Sequence, residues 1–516
     1  MGIWMLIRKA PEFFLIVLFL LTIGGAARAV PNTETTLRFE ITVADGLMPT
    51  PQDGRLLVVL GTQAGREPRL GAAETGLAAG PVLARDVSQF GADTVAVLAD
   101  KSITFPIADL SRLSAGDYFV QAVFDGNQDL RPSPDFGLNT PGTLYSEVRR
   151  MHLDPAEANT VKLKLNRKVP DESLPADTTR LRYIKFQSPL LSAFHGRPIF
   201  LRAGIRLPPN FARDSTRHYP LRVHIGGYAS RYFMFPPNEK TADEMVLLVL
   251  DGVGPLGDPS QVDSDNNGPY GQAITSELIP YIEQHFRCIG KPYARVLDGN
   301  STGGWVTLAL QVFYPDTFNG AWVFSPDPVD FRSLQLINIY EDANAYVNLY
   351  GFERPGMRTP DGDVQETMRH QCQIENVLGM GDSWVNSGQQ WGAWNAVFGP
   401  RGADGQPIAL WDPQTGLINH QAAEHWKRYD LRLIMERDWP TLGPKLKGKL
   451  HIWVGEADQY FLNDAVHRLD AFLTKAQPPY GGTIIYGPGQ DHLWRGISEQ
   501  QMIGQMLDSV RKSAEP

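Results

Sequence analysis

Cysteine is nearly absent from this 516-residue chain: only Cys288 and Cys372 occur. Two thiols cannot build a disulfide-rich scaffold, and they leave open either one bridge or a pair of buried free thiols. Neither sits in the setting of a nucleophilic thiol. Clusters of Lys and Arg are also lacking, and the formal net charge is -9. A phosphate backbone needs clustered cations, so nucleic acid is not an expected partner. Beyond residue 30 no apolar run is long enough to span a bilayer. No fixed-period repeat and no low-complexity tract occurs. No His/Cys/Glu spacing marks a catalytic zinc site, and neither a metal nor another cofactor is expected.

The long apolar stretch that is present lies at the start. Arg8 and Lys9 precede the run Phe13 to Ile23, and Ala27-Arg28-Ala29 follows it. A positive region, a short apolar core and a small-x-small site are what a signal peptidase reads. Residues 1–29 are therefore expected to be a signal peptide, against the rival of an uncleaved anchor. The mature chain is expected in the periplasm or the medium, with no stable membrane span.

From residue 30 to 168 the pattern is β. Leu37 to Val43 alternates apolar and polar residues, Leu56 to Leu60 and Tyr118 to Phe124 are continuous apolar runs, and Val161 to Leu165 alternates again. Gly, Pro and Asp separate them, which predicts a small all-β sandwich. A polar, Pro-containing linker at 169–176 suggests that the remainder could stand alone from about Asp177. From residue 169 to 516, strands at Leu201–Leu207, Leu221–Ile225, Val246–Leu250, Arg295–Leu297, Ala321–Phe324, Leu450–Val454 and Thr483–Tyr486 interleave with helical stretches. Ile274–Phe286, Trp305–Tyr314 and Asp464–Ala476 are the helices expected. That alternation predicts a doubly wound, mostly parallel α/β sheet.

Gly299-Asn300-Ser301-Thr302-Gly303 fits G-x-S-x-G. A strand runs into it and a helix out of it, the setting in which a sharp turn lifts a serine hydroxyl above a sheet edge. In the α/β-hydrolase arrangement the acid and the histidine follow on loops after late strands, in that order. Asp458 follows the strand Leu450–Val454, and His492 follows the terminal strand Thr483–Tyr486. Ser301, Asp458 and His492 are thus the expected nucleophile, orienting acid and base, with Glu456 the competitor for the acid role. An oxyanion needs two preorganised donors. The backbone N–H of Thr302 is one, and the Gly226-Gly227-Tyr228 loop offers the other, assigned to Tyr228 with Gly227 or Ala229 as neighbouring alternatives.

These motifs, with Asp263 to Gly271, Glu277 to Glu283, Gly455 to Asp458 and His492-Leu493-Trp494, resemble the esterase family of α/β-hydrolases. That family takes in siderophore esterases, feruloyl and acetyl-xylan esterases, formylglutathione hydrolases and mycolyltransferases. The resemblance covers about residues 180 to 510. It implies the α/β-hydrolase fold and hydrolysis of a small-molecule or glycan-linked ester. It leaves 30–168 unexplained, and the stretch 330–440 is longer than the family core needs. That insertion holds Trp384, Trp391, Trp394, Trp411 and Trp426 of the eleven Trp, as its own core or as a wall over Ser301. Acyl transfer to an alcohol, or a non-catalytic binding role, are the alternatives. Asp263, Asp265, Asn267 and Gly268 begin like a calcium loop, but Ile274 stands where a bidentate Glu is required, so a polar turn is the plainer reading.

Overall fold

The computed structural model describes residues 37–514 except 77–78, 127–128, 132–136 and 238–243. The expected signal peptide lies outside the described residues. Those residues belong to one compact unit, Thr35–Pro516.

The first region forms one sheet of nine strands among the described residues. Its order is Ala96–Leu98, Arg38–Val43, Thr160–Lys168, Leu144–Ser146, Gly116–Asp125, Gln52–Gly61, Val82–Phe90, Ile103–Phe105, with Arg149–Leu153 also pairing on Gly116–Asp125. Strands from both ends of that order share one buried cluster, including Phe39, Ile41, Leu98, Leu163, Leu56, Val58 and Leu83. The sheet therefore curls over its own core. Thr160–Lys168 keeps the other half of its alternation exposed. Gln52–Gly61 does not: Leu56, Val58 and Leu60 face the core, while Leu57 and Val59 join a second cluster with Ile374, Val377 and Leu378 of the later insertion. A continuous apolar run is what a strand buried on both faces requires.

The second sheet positions the chemistry. Its strands are β1 (Leu181–Gln187), β2 (Phe200–Arg206), β3 (Leu221–Ile225), β4 (Val246–Leu250), β5 (Arg295–Asn300), β6 (Ala321–Phe324), β7 (Leu450–Gly455) and β8 (Thr483–Gly487). The order is β1-β2-β4-β3-β5-β6-β7-β8. β2 is antiparallel to its neighbours, and every pairing from β4 to β8 is parallel. Successive residues feed opposite faces: Val296, Trp322 and Phe324 pack under the C-terminal helix Glu499–Ala514, while Leu297, Ala321 and Val323 belong to the large cluster opposite.

Helices start earlier than their apolar patterns suggest. The one after β5, α1, spans Thr302–Phe313, three residues ahead of the expected Trp305. Gly303 allows this: a Cβ there would lie 2.2 Å from the carbonyl oxygens of Ile225 and Gly226, so only glycine lets helix and strand come this close. Cys288 and Cys372 are buried and free, which settles the two open readings of the thiols.

Candidate active site

Ser301 sits between β5 and α1 with φ 56° and ψ -126°. An L-residue there is strained by roughly 1–3 kcal/mol and persists only where its surroundings over-determine it. Three backbone bonds do so: Ser301 N–H donates to Phe324 O (3.0 Å), and Ser301 O accepts from Trp305 N–H (3.0 Å) and Asp327 N–H (3.1 Å). The hydroxyl consequently enters a cavity of about 400 Å³, which His492 also lines.

Asp458 is fully buried after β7. Its Oδ2 accepts from His492 Nδ1 at 2.8 Å, and its Oδ1 accepts from the backbone N–H of Tyr460 (2.8 Å) and Leu462 (3.3 Å). His492 is fixed from its other end by its own N–H, which donates to Gln459 Oε1 at 2.7 Å. Burial pushes the His492 pKa down, but the bond to Asp458 and the charges of Asp458, Asp327 and Asp491 outweigh it, and the net direction is upward. Glu456 faces elsewhere, paired with His467 at 3.1 Å. Of the two acids after β7, Asp458 is the one joined to the imidazole.

The loop after β3 passes directly beside the nucleophile: a Cβ on Gly227 would lie 3.6 Å from Ser301 Cβ. The backbone N–H of Ala229, in the same loop, helps offset the burial that raises the Asp258 carboxyl. Tyr228 lines the cavity, and its hydroxyl donates to Gly388 O at 3.1 Å, tying the loop to the insertion. Thr302 opens α1, where backbone N–H groups have no intrahelical acceptor.

The insertion reaches this site in two places. Its hairpin Pro355–Arg358/Val364–Thr367 sends Arg358, whose Nε donates to Asp458 O at 2.9 Å. Helices α2 (Met368–Leu378) and α3 (Gln390–Phe398) supply Ile374, Glu375, Trp391 and Trp394 to the cavity wall. Both readings of the tryptophans hold: Trp391 and Trp394 face the cavity, while Trp384 stacks on Trp411 (centroids 4.9 Å) in the insertion's interior.

One acid at the site was not anticipated from sequence. Asp327, three residues past β6 and 4% exposed, accepts from Thr302 Oγ1 (2.6 Å) and Trp394 Nε1 (3.1 Å) on Oδ2 and from Ser301 Oγ (3.4 Å) on Oδ1. Burial lifts its pKa to about 6, against the bonds from Thr302 and Trp394 and the nearby His492. Its local mark in the sequence is a carboxylate just past a strand; that this strand pairs with the nucleophile strand is seen only in the structure.

The calcium-like loop is occupied by protein. Asp263 accepts from Gln272 N–H (2.9 Å) and Tyr314 OH (3.1 Å), and Asp265 pairs with His425 (2.9 Å). Among the described residues no group of three or more His, Cys, Asp or Glu is disposed to hold a metal ion. Nor, among them, is any helix long and apolar enough to cross a membrane.

A strained serine at a strand–helix turn, sharing one cavity with a carboxylate-backed imidazole, defines a serine hydrolase. Residues 203–497 match the family described as Putative esterase, and the chain belongs to that family. It is an enzyme of ester hydrolysis. Solved structures to which the chain is similar include a ferulic acid esterase (12% identity, 64% of this chain and 98% of the other, TM-score 0.38). An S-formylglutathione hydrolase from Agrobacterium tumefaciens is similar at 13% identity (66% and 98%, TM-score 0.36). A fluorophosphonate-binding serine hydrolase of Staphylococcus aureus is similar at 14% (64% and 98%, TM-score 0.38). No curated protein matches the sequence.

Proposed function

We propose that the protein is an exported serine esterase that cleaves a carboxylic ester through an acyl-enzyme on Ser301. The observation that carries this reading is the 2.8 Å bond from His492 Nδ1 to buried Asp458, in the cavity that Ser301 enters. That bond leaves Nε2 as the basic nitrogen. Ser301 Oγ attacks the ester carbonyl carbon while His492 Nε2 takes its proton, and Asp458 stabilises the resulting imidazolium. The N–H groups of Thr302 and Tyr228 hold the oxyanion. Collapse breaks the acyl–oxygen bond, and the imidazolium returns its proton to the departing alcohol. Water then attacks the acyl-enzyme with His492 again as base, releasing the acid and restoring Ser301.

In this reading the first region with its curled sheet completes the cavity wall of a doubly wound hydrolase, and 1–29 are a leader removed on export. The substrate is a small-molecule or glycan-linked ester. The test is Ser301→Ala, which should remain folded and lose ester turnover by about 10⁴-fold or more; turnover within tenfold of wild type would remove the assignment. Sequencing of the exported chain should begin at Val30, and a retained Met1 would overturn the leader.

A further inference from the structure

Asp327 is a buried carboxylate at the nucleophile that is not a member of the triad. Its two oxygens differ. Oδ2 is saturated by Thr302 Oγ1 and Trp394 Nε1, whereas Oδ1 has Ser301 Oγ at 3.4 Å. When the Ser301 hydroxyl turns to His492 for attack, Oδ1 loses that donor while still facing the cavity. A buried acceptor left without a donor is unfavourable unless the substrate brings one. Oδ1 lies within a few bonds' reach of the carbon that Oγ attacks, so the donor must be carried close to the scissile carbonyl.

The rest of the cavity wall also carries acids. Glu366 and Glu375 line it with Asp327, and among the described residues no Lys or Arg does. Burial raises the pKa of both glutamates, that of Glu375 to about 7. Glu375 accepts from Ser387 Oγ and from the N–H groups of Trp391 and Gly392, and Glu366 is bonded to Thr75 and Gln371. Asp458 adds a further carboxylate behind His492. A carboxylate on the substrate would therefore enter a cavity whose described wall holds several acids and no Lys or Arg, where like charges repel.

We propose that Asp327 is a specificity-determining residue: it selects esters bearing a hydroxyl or ammonium donor on the carbon next to the scissile carbonyl and rejects esters bearing a carboxylate there. This rests on the esterase reading above. Above neutral pH Asp327 is ionised, since burial raises it only to about 6.

The experiment compares methyl esters that differ at one α-substituent: propanoate, lactate, alaninate and monomethyl methylmalonate. They are followed by titration of the released acid at pH 7.5 with wild type and Asp327→Asn. In wild type, lactate and alaninate should exceed propanoate in kcat/KM by about tenfold, and methylmalonate should fall about a hundredfold below it. Asn can still accept from Thr302 and Trp394 through its carbonyl, but it presents an uncharged donor to the cavity. In the Asn chain the lactate preference should vanish and the methylmalonate penalty should shrink at least tenfold. Equal ratios in the two chains overturn the proposal. Should the Asn chain not fold, wild type decides alone: methylmalonate turned over within threefold of propanoate overturns it. If wild type cleaves none of these esters and takes no phosphonate label, the esterase reading fails instead. Asp327 is then judged by calorimetric binding of the four matching N-methylamides to wild type, where donor-bearing ligands should bind tighter and the carboxylate weaker. Equal affinities overturn it.

Discussion

Backbone bonds hold Ser301 at its turn, and a carboxylate and an amide hold His492. Asp458 fixes the imidazole through a 2.8 Å bond, while Glu456, two residues earlier, holds the exposed His467. Asp458→Asn should lower kcat by about 10⁴-fold, because an amide cannot keep Nδ1 protonated or stabilise the imidazolium. Glu456→Gln should change it less than threefold. Steady-state kinetics of both at one pH checks this, and a crippled Glu456→Gln chain would transfer the role. The pH profile follows from the same charges. The imidazole must be neutral to accept the Ser301 proton, and its pKa is raised above the ordinary 6.5. Activity should therefore fall on acidification through a midpoint above 6.5. Asp327 is one of the charges that raise it, so Asp327→Asn should move that acid limb to lower pH. A limb moving upward would contradict the assignment of charges.

Among the elements, the first sheet and α2 meet on a face that ties the first region to the cavity wall. Arg55, fully buried on Gln52–Gly61, donates from Nη1 to Asp86 (2.8 Å), from Nη2 to Asp382 (2.8 Å) and from Nε to Val377 O (3.0 Å) at the end of α2. A cation at a helix C-terminus also meets the negative end of its dipole. Arg55 thereby holds a strand of the first sheet on the helix that contributes Ile374, Glu375 and Leu378 to the cavity. Arg55→Ala should lower stability by about 2–4 kcal/mol, since charge-assisted bonds are lost and buried carbonyls are left without donors. Because α2 carries the cavity wall, KM should rise more than kcat falls. Thermal unfolding and kinetics on the full chain measure both. An unchanged melting temperature would mean that the sheet and α2 are not coupled.

Over the whole molecule, Ser301, Asp458 and His492 were legible because each stands at the end of a strand that its own local pattern announces, and in the required order. Asp327 was not legible. Its role depends on β6 lying against β5, and pairing between strands leaves no local pattern. The first sheet was legible as strands but not in its second face. The run Leu56 to Leu60 told of burial on both sides, and nothing in it named α2, some three hundred residues later, as the cover. The linker misled for a similar reason. Its polar residues suggested a free connection, yet Glu172 is tied to Arg202 at 2.5 Å and bonded to Arg231. Ala73 and Thr75 of the first region line the catalytic cavity. The expectation that the chain from Asp177 could work alone does not fit this packing. In the proposed mechanism the whole chain assembles one reactive oxygen, and that can be measured directly. Wild type treated with an uncharged fluorophosphonate, then digested and mass-mapped, should carry a single adduct on the peptide containing Ser301. The adduct should be absent from Ser301→Ala and should form far more slowly in His492→Ala. Labelling at another residue, or undiminished labelling of Ser301→Ala, would contradict the account at its centre.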